Sequence, residues 1–236
     1  MFRSKKFRLL LPAYLLVLCG FLVSGLWLNK SVTVFVESSS IDLGTCIVVD
    51  AGHGGVDGGA TSCTGILESK FNLDVALRVN DLLHLLGRRT IMIRSEDISI
   101  YTEGESIAAK KISDLKERVR IVNETESAVL LSIHMNYFSD SRYYGPQVFY
   151  ADTENSKSYA EAIQSALNSN LGSANKRTIK KASGIYLLEH IESPGILIEC
   201  GFLSNQEEEA KLRDPEYQKK LSCLIAATTS TFLMNA

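Results

Sequence analysis

Ile47-Val48-Val49-Asp50-Ala51-Gly52-His53-Gly54-Gly55-Val56-Asp57-Gly58-Gly59-Ala60 is the stretch on which the fold reading turns. An apolar run stops at an acid, and a glycine-rich loop follows with one histidine in its middle. A short apolar run bounded by glycine reads as a buried strand. The loop then presents His53 just beyond the carboxyl end of that strand, where open α/β sheets place their ligands. Two phosphate-binding readings fail. The dinucleotide fingerprint needs a third glycine at position 57, where Asp57 stands, and no Gly-Lys-Ser/Thr follows to make a P-loop. A structural loop with an incidental histidine is the remaining alternative at this point.

Outward from this stretch, strands and helices alternate. Leu67 to Leu86 reads as a helix, with Phe71, Val75, Val79, Leu82, Leu83 and Leu86 on one face and Gly87 as its stop. Thr90–Ile93 is a second strand, residues 95–112 a polar loop, and Asp114–Glu126 a short charged helix. Ala128–Ile133 is a third strand that runs straight into His134. Gln147–Tyr150, Gly184–Leu188 and Ile196–Ile198 are further strands. Ser156–Leu171, Asn205–Arg213 and Glu216–Leu233 are helices. This order predicts one α/β domain with a largely parallel sheet.

The chain has 236 residues and a formal net charge of −2, unevenly spread. Of the 25 Lys and Arg, five (Arg3, Lys5, Lys6, Arg8 and Lys30) fall in residues 1–30, which hold no acid. The remainder carries 20 bases against 27 acids, a balance of −7. A domain of that sign is a poor candidate for nucleic-acid binding. Behind the basic start, Leu9 to Leu28 gives 20 residues without a charge. That is the length of a bilayer span, and the preceding bases orient the domain outward. Residues 1–30 are therefore expected to be a signal peptide or a signal-anchor membrane segment, with residues 31–44 a linker and 45–236 the exported domain. Val23-Ser24-Gly25 offers a small-residue cleavage site, while Leu18 before Cys19 excludes a lipoprotein signal. Cys46 and Cys200 fall on core strands, where free cysteine behaves as a small hydrophobe, so no obligatory disulfide is expected. No C-x-x-C pair exists for a structural zinc site.

Four histidines exist. His84 sits within an amphipathic helix and His190 in a charged loop, which suits surface or structural roles. His53 and His134 each follow an apolar strand, and parallel neighbours bring their carboxyl ends together. Glu68 opens the helix after the glycine loop. Alone, it reads as an acid favoured by the helix dipole. With the two histidines it completes the His2Glu ligand set of a catalytic zinc that keeps an open position. Glu199 follows the apolar run Pro194–Ile198. Burial there would raise its pKa towards the range useful for proton transfer, and a salt bridge to a loop arginine is the plainer alternative.

These pieces together resemble the zinc-dependent N-acetylmuramoyl-L-alanine amidases of the type 3 family. The resemblance covers roughly residues 45–235. It is carried by Gly52-His53-Gly54-Gly55 with Asp57 and Gly59-Ala60, and by Gly65-Ile66-Leu67-Glu68 with Asn72-Leu73. Arg94 with Asp97, Leu115, Arg118 and Asn123 follow. Ser132-Ile133-His134-Met135-Asn136 and Pro194 to Asn205 complete the series. The chain departs from many relatives at Gly58, where they carry proline, and residues 95–112 match poorly. The resemblance implies a single α/β domain with a mixed, mostly parallel sheet flanked by helices, zinc-exopeptidase-like. It implies one Zn2+ on His53, Glu68 and His134, with Glu199 as the catalytic glutamate. The implied reaction cleaves the amide between the lactyl group of muramic acid and L-alanine in peptidoglycan. The compact size, membrane segment and lack of wall-binding repeats point to the sporulation branch, which prepares spore cortex for muramic δ-lactam formation. Relatives can need an accessory activating protein. Asp50 and Asp57 are candidates for orienting His53 or shaping its loop. Arg118 is a candidate for holding a substrate carboxylate or an acidic neighbour, or for a helix-surface salt bridge. The competing readings are a zinc peptidase acting within the stem peptide and a non-catalytic wall-binding module.

Overall fold

A computed structural model describes residues 44–171 and 177–235. The expected membrane segment at 9–28 and residues 31–43 of the expected linker lie outside the described residues. Among the described residues, no helix is long and apolar enough to cross a membrane.

The strands are β1 (Cys46–Ala51), β2 (Arg89–Met92), β3 (Ala128–Asn136), β4 (Gln147–Tyr150), β5 (Lys180–Lys181) and β6 (Gly195–Phe202). The helices are α1 (Glu68–Leu85), α2 (Ile107–Glu124), α3 (Ser156–Asn170), α4 (Tyr186–His190), α5 (Gln206–Arg213) and α6 (Pro215–Asn235). The six strands form one sheet in the order β2-β1-β3-β6-β4-β5. β4 runs antiparallel to β6 and every other neighbouring pair is parallel, so the sheet is mixed and mostly parallel as expected.

Every residue of β1 is buried. A strand covered on both faces has no solvent side to make polar, which is why it reads as an unbroken apolar run. Alternate side chains then serve two separate cores. Val49, Leu131 and Ile198 join the larger core beneath α1, α3, α5 and α6. Val48, Leu130 and Leu197 join the smaller core beneath α2 and α4. Phe71, Val75, Ala76, Val79 and Leu83 form the buried stripe of α1, and Gly87 ends it at φ +72°.

The structure corrects several sequence boundaries. β3 does not stop at Ile133, nor β6 at Ile198; both continue through His134 and Glu199. The two functional candidates thus sit in regular strand, directly opposite one another in the parallel register. α2 begins at Ile107, not Asp114, where the Ser106 hydroxyl accepts from the Ala109 amide at 3.2 Å. The two lysines after that cap obscured the helical period. The expected strand at 184–188 is the short helix α4, with Leu187 and Leu188 buried. A brief apolar run carries the same pattern in either conformation. β5, two charged residues on the sheet edge, leaves no apolar signal to find. Cys46 and Cys200 are buried, Cys63 and Cys223 exposed, and all four are free thiols.

One buried cation ties this frame to the loop beyond β1. Arg118 of α2 is 2% exposed. It is paired with Asp50 at the end of β1 and, at 2.6 Å, with Asp114. It also donates to the carbonyls of Ala51 (3.1 Å) and His53 (2.8 Å). Burial alone would push the Asp50 carboxyl up. Arg118, His134 and the Ser132 hydroxyl together hold it below the ordinary carboxylate range. Arg118 is therefore no helix-surface ion pair; of the sequence alternatives, the acidic neighbour is the one observed. Removing one partner of a buried pair strands the other charge and costs about 3–5 kcal/mol. Arg118→Met should lower stability to urea by about that amount. Arg120→Met, which removes an exposed pair with Glu117 and Glu124, should leave the unfolding midpoint unchanged.

Candidate metal centre

Asp50, Ser132, His134 and Glu199 follow Val48, Leu130 and Leu197 at steps of two, so they point to the face covered by α2 and α4. His53 enters from the loop after β1 in the left-handed region, at φ +62°. For a non-glycine residue that conformation persists only where the surroundings impose it. Arg118 grips its carbonyl from one side. The Gly54 and Asp57 backbones exchange hydrogen bonds across the turn that follows, at 2.7 and 3.1 Å. Behind the loop, buried Arg94 donates to the carbonyls of Ala51, Gly52 and Ser69 at 2.8–3.0 Å.

Glu68, at the first turn of α1, comes between the two imidazoles. Its Oε2 lies 3.3 Å from His53 Nε2, and its Oε1 lies 3.1 Å from His134 Nδ1. The two rings meet edge to face with centroids 5.0 Å apart. The carboxylate is also fixed by protein donors. Ala60 N–H reaches Oε2 at 3.0 Å, and Asn72 Nδ2 reaches Oε1 at 3.1 Å. Asn72 has no assigned role in the sequence reading, yet it joins Glu68 to the Gly52 carbonyl. His53 Nδ1 donates to Asp57 Oδ2 at 2.9 Å. A carboxylate only accepts, so Nδ1 carries a proton, and Nε2, 3.3 Å from the Glu68 carboxylate, is the nitrogen left to bind a metal once its own proton is displaced. Asp57 orients His53; Asp50 instead serves Arg118 and Ser132. Lys111 pairs with the second oxygen of Asp57 at 2.7 Å. Nothing in the sequence separates it from other exposed lysines.

Two glycines make room for this cluster. A Cβ at Gly52 would run into the Nε2–Cε1 edge of the His134 ring. A Cβ at Gly59 would stand 2.6 Å from Glu68 Oε2 and 2.8 Å from His53 Cδ2, at a backbone φ of +68°.

His53, Glu68 and His134 each offer one donor atom, and these lie within 4.8 Å of one another. Two imidazole nitrogens and one carboxylate oxygen fit a catalytic zinc better than a hard, all-oxygen ion. The local field agrees. Burial should lower the His53 pKa, but Asp57 and Glu68 outweigh it and lift it to about 9. Glu68 is pushed up by burial and pulled far below the carboxylate range by the two histidines. A field that holds protons on imidazole also favours a cation between these groups.

Glu199 lies next to this cluster and outside its donor set. Its Oε2 is buried with no hydrogen-bond partner. Burial pushes its carboxyl up to about 7; the Glu68 charge adds to the rise, while His134 and His53 oppose it. Among the described residues, no arginine stands beside Glu199 to form the alternative salt bridge. The two other histidines stand apart from this cluster. His84 is exposed near the end of α1, and His190 ends α4 stacked on Tyr186.

Residues 47–229 match the family described as N-acetylmuramoyl-L-alanine amidase. A germination-specific N-acetylmuramoyl-L-alanine amidase of Bacillus subtilis (strain 168) is 40% identical over 185 residues, 77% of each chain. The N-acetylmuramoyl-L-alanine amidase LytC of the same organism is 32% identical over 193 residues, which are 80% of this chain and 36% of LytC. Among solved structures, the CwlD amidase from Clostridioides difficile, in complex with the GerS lipoprotein, superposes with a TM-score of 0.78. It is 36% identical and covers 81% of this chain and all of that one.

The glycine contacts carry a measurable consequence. Gly52→Ala should fold, by circular dichroism, yet bind zinc about 10–100-fold more weakly in equilibrium dialysis, the range typical of disturbed support around a metal. Zinc binding at full wild-type affinity would show that His134 is not held as described.

Proposed function

The chain belongs to the N-acetylmuramoyl-L-alanine amidase family, and from that premise we propose a zinc hydrolase that acts on spore cortex, in the step towards the muramic δ-lactam needed for germination. The bond cut is the amide joining the lactyl group of N-acetylmuramic acid to L-alanine. The cortex assignment rests on the likeness to the germination-specific relative. Cleavage there leaves peptide-free muramic acid, the form that a δ-lactam requires.

The carrying observation is the unpartnered Glu199 carboxylate in register beside His134. A buried acid costs free energy unless it is paired or protonated, so its survival beside three donors calls for a chemical role. In this reading His53, Glu68 and His134 hold one Zn2+. What the ion supplies when bound is Lewis acidity, which makes water nucleophilic near neutral pH and polarises the scissile carbonyl. Glu199 accepts the proton of the attacking water and returns it to the nitrogen of the departing L-alanine. A pKa near 7 suits both transfers. Asp57 keeps the His53 proton on Nδ1, and Asn72 with the Ala60 amide keeps Glu68 turned between the imidazoles.

Export fits the same reading. The basic start and the uncharged run at 9–28 would carry the domain to the wall side of the membrane, with or without cleavage. The lipoprotein in complex with the similar CwlD amidase supports an accessory protein for this chain too.

Glu199→Gln should keep its zinc and lose about 100- to 10,000-fold in turnover. Full activity of that variant on peptidoglycan would remove Glu199 from the reaction. Mass spectrometry of digested peptidoglycan should find peptides that begin with L-alanine and muramic acid freed of peptide. Cuts within the stem peptide would indicate a peptidase instead. Zinc bound without any release would indicate a binding module. Cortex from cells lacking the chain should contain no muramic δ-lactam; unchanged δ-lactam would rule out the germination role.

A further inference from the structure

The loop that leaves the metal centre after β3 carries a surface the catalytic reading does not use. Tyr137, Phe138, Tyr143 and Tyr144 are 52%, 47%, 46% and 39% exposed. An aromatic side chain presents about 150–250 Å², so these four together leave roughly 400 Å² of ring surface in water. Phe138 and Tyr143 are in contact, and exposed apolar surface built on such a pair is a candidate contact site. We propose that this loop is a glycan platform, on which sugars flanking the cleaved muramic acid stack. The proposal rests on the amidase reading and extends it from the scissile bond to the glycan strand.

Position comes first. β3 ends at Asn136, which pairs with Phe202 of β6. Strand rise puts Tyr137 about 10 Å from His134 and Phe202 about 10 Å from Glu199. The platform therefore begins within a few residues of the metal centre along both strands.

The rings are already arranged. Phe138 and Tyr143 meet edge to face at 4.8 Å, and Tyr143 leans on buried Phe202 at 6.3 Å. The Arg177 guanidinium stacks 4.8 Å from Phe202 and 5.9 Å from Tyr143. The backbone beneath them is pinned from other elements. Asn205 donates to the Ser141 carbonyl at 2.8 Å, and Phe138 N–H reaches the Ser204 hydroxyl at 3.2 Å. Gly145 N–H reaches Glu208 at 2.9 Å. A surface ordered in advance loses little entropy when a ligand arrives.

Chemistry then selects the occupant. The loop's Asp140 and Arg142 neutralise each other, and the cation on the rings, Arg177, is spread over Phe202 and Tyr143 and donates to the Tyr144 carbonyl at 3.0 Å, so the exposed faces are aromatic and uncharged. A β-1,4-linked N-acetylated pyranose offers C–H faces to a ring quadrupole and hydroxyls to tyrosine, which has both an apolar body and a polar tip. A stable protein interface needs about 800 Å² from each partner, twice what these rings provide.

The probe is a peptide-free β-1,4-linked N-acetylglucosamine hexamer, titrated calorimetrically into the zinc-loaded full chain. Tyr143→Ala and Phe138→Ala should each weaken binding at least tenfold, while Tyr143→Phe, which keeps the ring, should stay within about twofold. Circular dichroism of each variant checks folding, and Tyr143→Phe provides a variant that preserves the packing. Wild-type protein that binds the hexamer no better than Tyr143→Ala overturns the platform. So does a loss confined to capture of a partner protein. Release of L-alanine peptides from peptidoglycan is scored separately: a wild type that releases them without binding the hexamer rejects the platform alone. One that binds the hexamer and releases nothing rejects the amidase reading alone.

Discussion

Everything at the strand ends depends on a buried cation. Arg118 reaches from α2 to the last turnings of β1, where it meets Asp50 and two backbone carbonyls. A guanidinium out of water is tolerable only when nearly all its donors are used. Asp50, Asp114, Ala51 and His53 use them. The arrangement fixes two things together: the distance between α2 and the sheet, and the left-handed backbone of His53. A loop rich in glycine would otherwise sample many conformations, and the imidazole would have no settled direction.

The three donors illustrate how a fold holds a reactive cluster without borrowing rigidity from the ligand. Each belongs to a different kind of element: a loop, a helix start and a strand. Each is braced by a partner that is not itself a donor. Asp57 braces His53, Asn72 and the Ala60 amide brace Glu68, and pairing with β6, in register up to Glu199 and shifted just beyond it, braces the segment of His134. Glu199 is treated in the opposite way. Its segment is equally regular, but its buried oxygen has no partner. Satisfied carboxylates stay charged, which suits them to a cation, whereas burial without a partner pushes the pKa of the one beside them up. Two acids in one site thus titrate differently because of their surroundings alone.

Much of this was legible in advance. β1 and β3 announce themselves because strands buried on both faces are apolar throughout. α1 is visible because its buried stripe recurs at helical spacing. His53, His134 and Glu199 stand out because a polar residue at or just beyond the end of an apolar run is costly and so demands a reason, whereas Glu68 reads alone as a helix-start acid and gains meaning only beside the two histidines. Other features carry no such mark. Lys111 looks like any exposed lysine until Asp57 is found beneath it. The run at 184–188 is too short for periodicity to separate strand from helix, and tertiary packing of Leu187 and Leu188 decides it. The platform aromatics at 137–144 read only as a tyrosine-rich loop.

The sequence by itself determined most of the order of strands and helices, the parallel character of the sheet and the identity of the candidate side chains. Those are consequences of hydrophobic period and of residue chemistry, both local properties of the chain. Only the tertiary structure decided how these residues meet. It assigned Asp57 and not Asp50 to His53, and turned the His53 proton to Nδ1. It carried β3 and β6 past their apolar runs so that His134 and Glu199 face each other in register. It also left one carboxylate oxygen of Glu199 buried, with no hydrogen-bond partner among the described residues. These outcomes depend on side chains tens of residues apart. Their distances are set by sheet register and helix docking, and no local pattern in the chain records them.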